Sequence, residues 1–210
     1  MVSNDSDKIN NVGRHFRIGE LEKKKVIVVM TGESMLNAGL ATQLLLTLFN
    51  VKGVLHYGIA GNLNSKFQIP NWRCDYSTIL GPYRTMALAA KKDISHKPKL
   101  NVQLSNCVNT TCLPRKPIVV RVKKGVSANV FVDNKAYRDH LNSKFDVTPT
   151  DLESAVVALV CFQQKIPFIA IRALSDLARG GSALTNEVSL YLSLASQNAF
   201  DVLVKFISLL

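Results

Sequence analysis

The sequence predicts an α/β fold with helices on both faces of a sheet, and three observations carry that expectation. Short apolar runs suited to strands alternate with longer stretches of helical spacing through much of the 210 residues. Hydrophobic residues make up 47% of the chain, enough for a sizeable core within one domain and too many for a disordered chain. No fixed period repeats, which excludes a solenoid, and no apolar run approaches the ~18 residues of a membrane-spanning helix.

Each element can be justified in order. Residues 26–30 are wholly apolar after Lys23, Lys24 and Lys25, as a buried strand would be. Gly32 interrupts them, and residues 35–49 then show helical spacing through Leu36, Leu40, Leu44 and Leu48. Residues 54–57 read as a second strand ending at Gly58 and Gly61. Residues 62–116 are the least patterned, with one helix expected near 83–92. A strand follows at 118–122, a second extended run at 127–132, and helices at 134–144 and 151–164. Pro167 introduces an apolar strand over 168–174, and a helix over about 186–209 ends the chain. Residues 1–13 are expected to be a polar N-terminal segment without an apolar signal region. Residues 14–210 are expected to form the domain, with an irregular or shortened region about 67–99.

The net charge of +11 is concentrated. Residues 91–124 hold nine basic side chains against Asp93 alone. Such a run can attract nucleic acid or acidic ligands, but few aromatics interleave with it, so a solvated basic loop is the preferred reading. Cys161 lies in an apolar helical stretch and reads as a small buried hydrophobe. Cys107 and Cys112 could close a small disulfide or supply half a metal site. No further Cys or His pair completes a zinc set, so no metal is expected. Asn109-Thr110-Thr111 between them is a glycosylation sequon, relevant to a secreted chain. The compartment is left open.

Ligands in α/β sheets gather at the carboxyl ends of strands, which directs attention to a few residues. Gly58-Ile59-Ala60-Gly61 could let backbone N–H groups approach an anion, or could be a tight strand exit. Gly32-Glu33-Ser34-Met35-Leu36 resembles a nucleophile elbow, but Leu36 replaces the second glycine and a serine hydrolase is rejected. Asp176 follows the strand over 168–174, where it could exchange a proton or cap a turn. Thr150-Asp151-Leu152-Glu153 fits a capping box with Glu153 folded back on Thr150; alternatively Glu153 points into a cleft toward sugar hydroxyls. Phe131 reads as core or as a base-stacking platform.

Four motifs in order carry a resemblance. They are Gly32-Glu33-Ser34-Met35-Leu36-Asn37-Ala38-Gly39, His56-Tyr57-Gly58-Ile59-Ala60-Gly61-Asn62, Thr150-Asp151-Leu152-Glu153-Ser154-Ala155, and Ala173-Leu174-Ser175-Asp176-Leu177-Ala178. Together they resemble the nucleoside phosphorylase superfamily over residues 14–66 and 100–210. The nearest branch is that of plant bark storage and wound-inducible proteins, with the 5'-methylthioadenosine/S-adenosylhomocysteine nucleosidases as cousins.

The resemblance implies a three-layer αβα fold with a central mixed sheet and chemistry at the N-glycosidic bond of a purine nucleoside. Asp176 would protonate the purine N7. Glu153 would hold the ribose hydroxyls, with Leu152 against the sugar. Phe131 would stack on the base beside Val132 and Ser175. Ala60 and Gly61 would line the pocket where ribose meets phosphate or water. The resemblance implies no cofactor beyond inorganic phosphate as a co-substrate, and a homo-oligomer; the short apolar runs and the sparse aromatics of the basic segment lead to the expectation of no membrane or nucleic-acid partner. Family chains carry a strand ahead of the position of Gly13-Arg14 and further strands after Gly61-Asn62. Here residues 67–70 run into Asn71-Trp72-Arg73, so the expectation is a shortened member with reduced turnover. The alternative is a catalytically silent storage or stress-induced protein of the same fold.

Overall fold

Residues Phe168–Leu177, apolar but for Arg172, Ser175 and Asp176, form the strand at the middle of the central sheet. The structure, a computed structural model, describes residues 7–11, 13–64, 73–77, 102–108, 111–113, 116–122, 124–178 and 184–210. In chain order the elements are β1 (Asp7–Asn11), β2 (Arg14–Leu21), β3 (Lys24–Val29), α1 (Met35–Leu48), β4 (Val54–Asn62) and β5 (Arg73–Ser77). There follow β6 (Cys107–Val108), β7 (Thr111–Cys112), β8 (Ile118–Val122), β9 (Val126–Ser127) and α2 (Lys135–Phe145). The last are β10 (Pro149–Asp151), α3 (Ser154–Gln163), β11 (Phe168–Leu177) and α4 (Leu184–Ile207).

The central sheet has six strands in the order β8-β5-β11-β4-β10-β9. β11 runs parallel to β4 and antiparallel to β5, while β10 is antiparallel to β4 and parallel to β9. It is a mixed sheet between helical layers, as the resemblance implies. On one face Ile169, Ile171 and Ala173 of β11 pack against Ala195, Ala199, Val202 and Phe206 of α4. On the other, α3 lies over the sheet and α1 lies over α3, with Val157 and Cys161 of α3 in one cluster with Ala38 and Leu45 of α1. Gly39 permits this approach, since a Cβ there would stand 3.1 Å from Val156 Cγ2. Cys161 is buried as expected, and burial pushes its thiol up to about 12.

Several expected elements need correction. Residues 26–30 are not a strand of the central sheet: β3 closes a separate three-stranded antiparallel sheet with β2 and β1, and Met30 is 83% exposed. Its apolar run serves two clusters, because Val26 packs on the α4 side and Ile27 and Val29 on the α1 side. The extended run over 127–132 is a strand only at its start. Ala128 N–H donates to Asp151 O at 3.1 Å, and then the chain leaves the sheet. The helix expected over 151–164 begins at Ser154, because Pro149–Asp151 pairs with β4 and β9. The strands at 54 and 168 run further than expected, to Asn62 and Leu177, and β5 was not anticipated. The helix expected near 83–92 lies outside the described residues.

Cys107 and Cys112 are disulfide-bonded across the β6–β7 hairpin, so neither is free for a metal. The hairpin is seated on α4 by Asn198, which accepts from Ser105 N–H and donates to Ser105 O, both at 2.9 Å. Among the described residues no helix is long and apolar enough to cross a membrane.

Candidate active site at the strand carboxyl ends

The pairing register brings two of the residues singled out by sequence, Asp176 and Gly61, side by side. β11 and β4 stay in step from Phe168↔Val54 to Leu174↔Ala60, and then Asp176 pairs with Gly61. Ser175 is therefore an extra residue on β11, a bulge of the kind that re-aims a strand beside a site. On the other side of β4, Thr150 of β10 also pairs with Gly61. Asp176, Gly61 and Thr150 thus lie side by side across three strands. Ser175 is buried and its hydroxyl lies 3.4 Å from Ala60 O. Gly61 is closely walled, since a Cβ would meet Thr150 Cγ2 at 3.1 Å.

Behind this row, on the α3 side of the sheet, is a buried polar cluster. Arg172 is 3% exposed, and its Nε stands 2.7 Å from Asp151 Oδ2. Its Nη2 donates to Ser154 Oγ at 2.6 Å and lies 3.0 Å from His56 Nδ1. Asp151 Oδ1 accepts from the N–H groups of Glu153 and Ser154 at 3.2 and 3.1 Å and from Ser127 Oγ–H. Room for the guanidinium comes from Gly58, where a Cβ would stand 2.5 Å from Arg172 Nη1.

The charges in this cluster are mutually set. Burial works against the Asp151 carboxylate, but the Arg172 charge and the hydroxyls of Ser127 and Ser154 outweigh it and hold the group below its ordinary value. Burial, reinforced by Arg172, pushes His56 down to about 3, so the ring is neutral. For Glu153, burial and then the Asp151 charge raise the carboxyl above the usual range.

The capping-box expectation is overturned. Glu153 occupies the N-cap position of α3 and makes no side-chain cap; Asp151, two residues earlier, takes the first amides instead. Glu153 is thereby released, and its Oε1 accepts from Ser34 N–H at 3.1 Å, with Oε2 4.0 Å from Arg172 Nη2. Ser34 precedes α1 with φ 81° and makes no cap of its own. The next amide, Met35 N–H, donates to Asn129 Oδ1 at 3.0 Å.

The remaining sequence candidates separate. Val132 is buried with Leu63, Leu141, Val147 and Ala178, whereas Phe131 is 69% exposed and belongs to no core cluster. Leu152 is half-buried and Ala60 buried. Sequence reasoning missed Arg172, Asp151, His56, Ser127 and Asn129 as members of the site. A signal did exist: Arg172 is the one charged residue within the apolar run 168–174, and such a charge is buried only when paired. Asn129 gave no comparable signal. Among the described residues no group of three or more His, Cys, Asp or Glu side chains could hold a metal.

Comparison with known proteins identifies the family and the fold. The chain is 29% identical to bark storage protein A of Populus deltoides over 99% of its own length and 82% of that protein. It is 27% identical to the 5'-methylthioadenosine/S-adenosylhomocysteine nucleosidase of Staphylococcus epidermidis, covering 96% of this chain and 91% of that one. The corresponding nucleosidase of Colwellia psychrerythraea, solved in complex with adenine, superposes with a TM-score of 0.73 at 21% identity, over 98% of this chain and 86% of the other. That of Neisseria meningitidis gives 0.74 at 18%, over 100% and 92%. These superpositions share the fold, with the mixed central sheet between helices. Residues 4–208 match the family described as the phosphorylase superfamily, and the chain belongs to that superfamily.

Proposed function

We propose that this chain cleaves the N-glycosidic bond of a purine nucleoside bound at the carboxyl ends of β4 and β11. The observation that carries the reading is the row Asp176–Gly61–Thr150, with Glu153 at the start of α3 beside it. Asp176 is the general acid that protonates N7 of the departing base. Glu153 takes the ribose hydroxyls in exchange for the Ser34 amide, and Leu152 lies against the sugar. Phe131 stacks on the base, and Val132 and Ser175 border it. Ala60 and Gly61 line the place where the nucleophile meets C1'. The transition state is oxocarbenium-like, so acid assistance to the base and a fixed carboxylate near the sugar both lower the barrier.

Charge balance supports water over inorganic phosphate as nucleophile. Arg172 already faces Asp151 and Glu153 and offers little uncompensated charge to a phosphate dianion. No cofactor enters this chemistry. The exposed Met30, Leu36, Leu40 and Phe131 support a homo-oligomer that covers them. A second reading, a storage protein that kept the fold without turnover, is favoured by the likeness to bark storage protein A.

A product assay separates these readings. Purified protein is incubated with adenosine, inosine or methylthioadenosine, with and without phosphate. Free base released equally in both conditions is expected. Ribose 1-phosphate would replace water by phosphate, and no release from any substrate would leave the storage reading.

A further inference from the structure

Phe131 stands between two anchors three residues apart. Val132 is buried among Leu63, Leu141, Val147 and Ala178 on one side. On the other, Asn129 spends its side-chain oxygen on Met35 N–H at the start of α1. The residue before it, Ala128, is tied to β10 through Asp151 O. Val130 and Phe131, between the anchors, are both exposed. Whichever way the Phe131 ring faces, its segment is held by the Ala128 and Asn129 hydrogen bonds on one side and by the burial of Val132 on the other.

The Asn129 anchor is also next to the sugar side of the site. Ser34 N–H and Met35 N–H are consecutive amides, and their acceptors are Glu153 Oε1 and Asn129 Oδ1. One helix start therefore holds both the carboxylate assigned to the ribose and the segment assigned to the base. A helix N-terminus favours an anionic acceptor, yet the second acceptor is a neutral amide. A carboxylate at 129 would stand beside Glu153, which already faces Asp151 and Arg172, with His56 neutral behind Arg172 and no acidic residue in the first turn of α1.

We propose that Asn129 is a positioning residue for base recognition: by capping Met35 it fixes the Phe131 segment on α1 without adding charge beside Glu153. The inference rests on the purine-site reading above. It predicts that Asn129 acts on ligand binding and not on bond cleavage.

The test uses the full chain and the variants Asn129→Ala and Asn129→Asp, checked for native folding. In Asn129→Ala the adenine Kd and the nucleoside KM should both rise about fivefold, the scale of one lost hydrogen bond, with kcat unchanged. Asn129→Asp keeps the acceptor and should restore KM. Its added carboxylate should also move the acid limb of the kcat/KM profile to higher pH. Unchanged Kd and KM in folded Asn129→Ala, or a fall in kcat alone, would overturn the proposal. If the unaltered chain neither binds adenine nor cleaves a nucleoside, the purine-site reading fails. The anchor is then judged by amide exchange of residues 128–132: faster exchange in Asn129→Ala sustains it, and an unchanged rate refutes it.

Discussion

Strand β11 presents two unlike faces. Ile169, Ile171 and Ala173 meet α4 in a wholly apolar layer, while Arg172, on the intervening side, meets Asp151, Ser154 and His56 beneath α3. Both faces are buried, so burial is not what distinguishes them. The α4 face gains from every apolar side chain it excludes from water, about 1.5–3 kcal/mol for a large one, and tolerates shape-conserving exchange. The α3 face holds a full positive and a full negative charge out of water, which is stable only while each keeps its partner. On the proposed function, the difference separates the face that would meet the ligand from the face that supports it. Apolar packing would have supplied stability more simply, whereas the polar face holds a specific geometry that ends at Glu153.

The comparison breaks most sharply at the ion pair. Arg172→Met alone should destabilise the chain by about 3–5 kcal/mol, because it leaves Asp151 buried without a counter-charge. Adding Asp151→Leu should recover most of that loss. Urea midpoints of the two single variants and the double variant measure it, and simple additivity would contradict the pairing. On the other face, Ile171→Ala should cost about 2–4 kcal/mol, and no second substitution across the sheet should recover it.

What could be read in advance followed the same division. Helix α1, strand β8 and the apolar cores of β4 and β11 were legible as elements from apolar patterning, but the stripe read along α1 is its outer one: Leu36, Leu40 and Leu48 are exposed, and Ala38, Ala41 and Leu45 face the core. The apolar patterning and capping spacing placed Asp176, Gly61 and Glu153 at strand and helix ends, and the pairing register then set the first two side by side. The meander β1–β3 was not legible. Its inward residues, such as Phe16 and Ile18, are separated by charged ones, and its last strand alone looks like core. The true cap of α3 was also hidden. Thr150 and Glu153 have the capping spacing, but the partners that draw Asp151 and Glu153 elsewhere come from positions 34, 127 and 172. Local sequence cannot weigh contacts that distant.

Smaller effects sharpen the account. The Cys107–Cys112 bridge closes a short loop, so its reduction should lower stability by about 2 kcal/mol or less on the loop-entropy model. Binding at the β4–β11 site should survive, since the hairpin sits on α4. Denaturation with and without reductant, alongside adenine titration, checks both points.

The pH dependence should come from the polar face. His56 is neutral in the fold down to about 3, but protonates near its ordinary value of 6.5 when unfolded. The unfolded state therefore binds the extra proton between those values, and stability falls as pH falls, by up to about 1.4 kcal/mol per pH unit for one proton. Asp151, held below its ordinary value, adds to this loss at the acid end, because its contribution is present above its unfolded value and disappears as it protonates. Glu153 runs the other way, since its raised value makes the folded state the better proton acceptor just above its ordinary value. His56→Gln should flatten the slope between pH 6 and about 4.5 in urea midpoints.

The division between a working face and a supporting face is tested most directly by following backbone amide shifts while a purine nucleoside is titrated into the full chain. The account predicts saturable shifts at Ser34, Gly61 and Glu153, with Ala199 and Val202 of α4 unmoved. Shifts confined to α4, or none at Ser34 and Glu153 under saturating nucleoside, would contradict it.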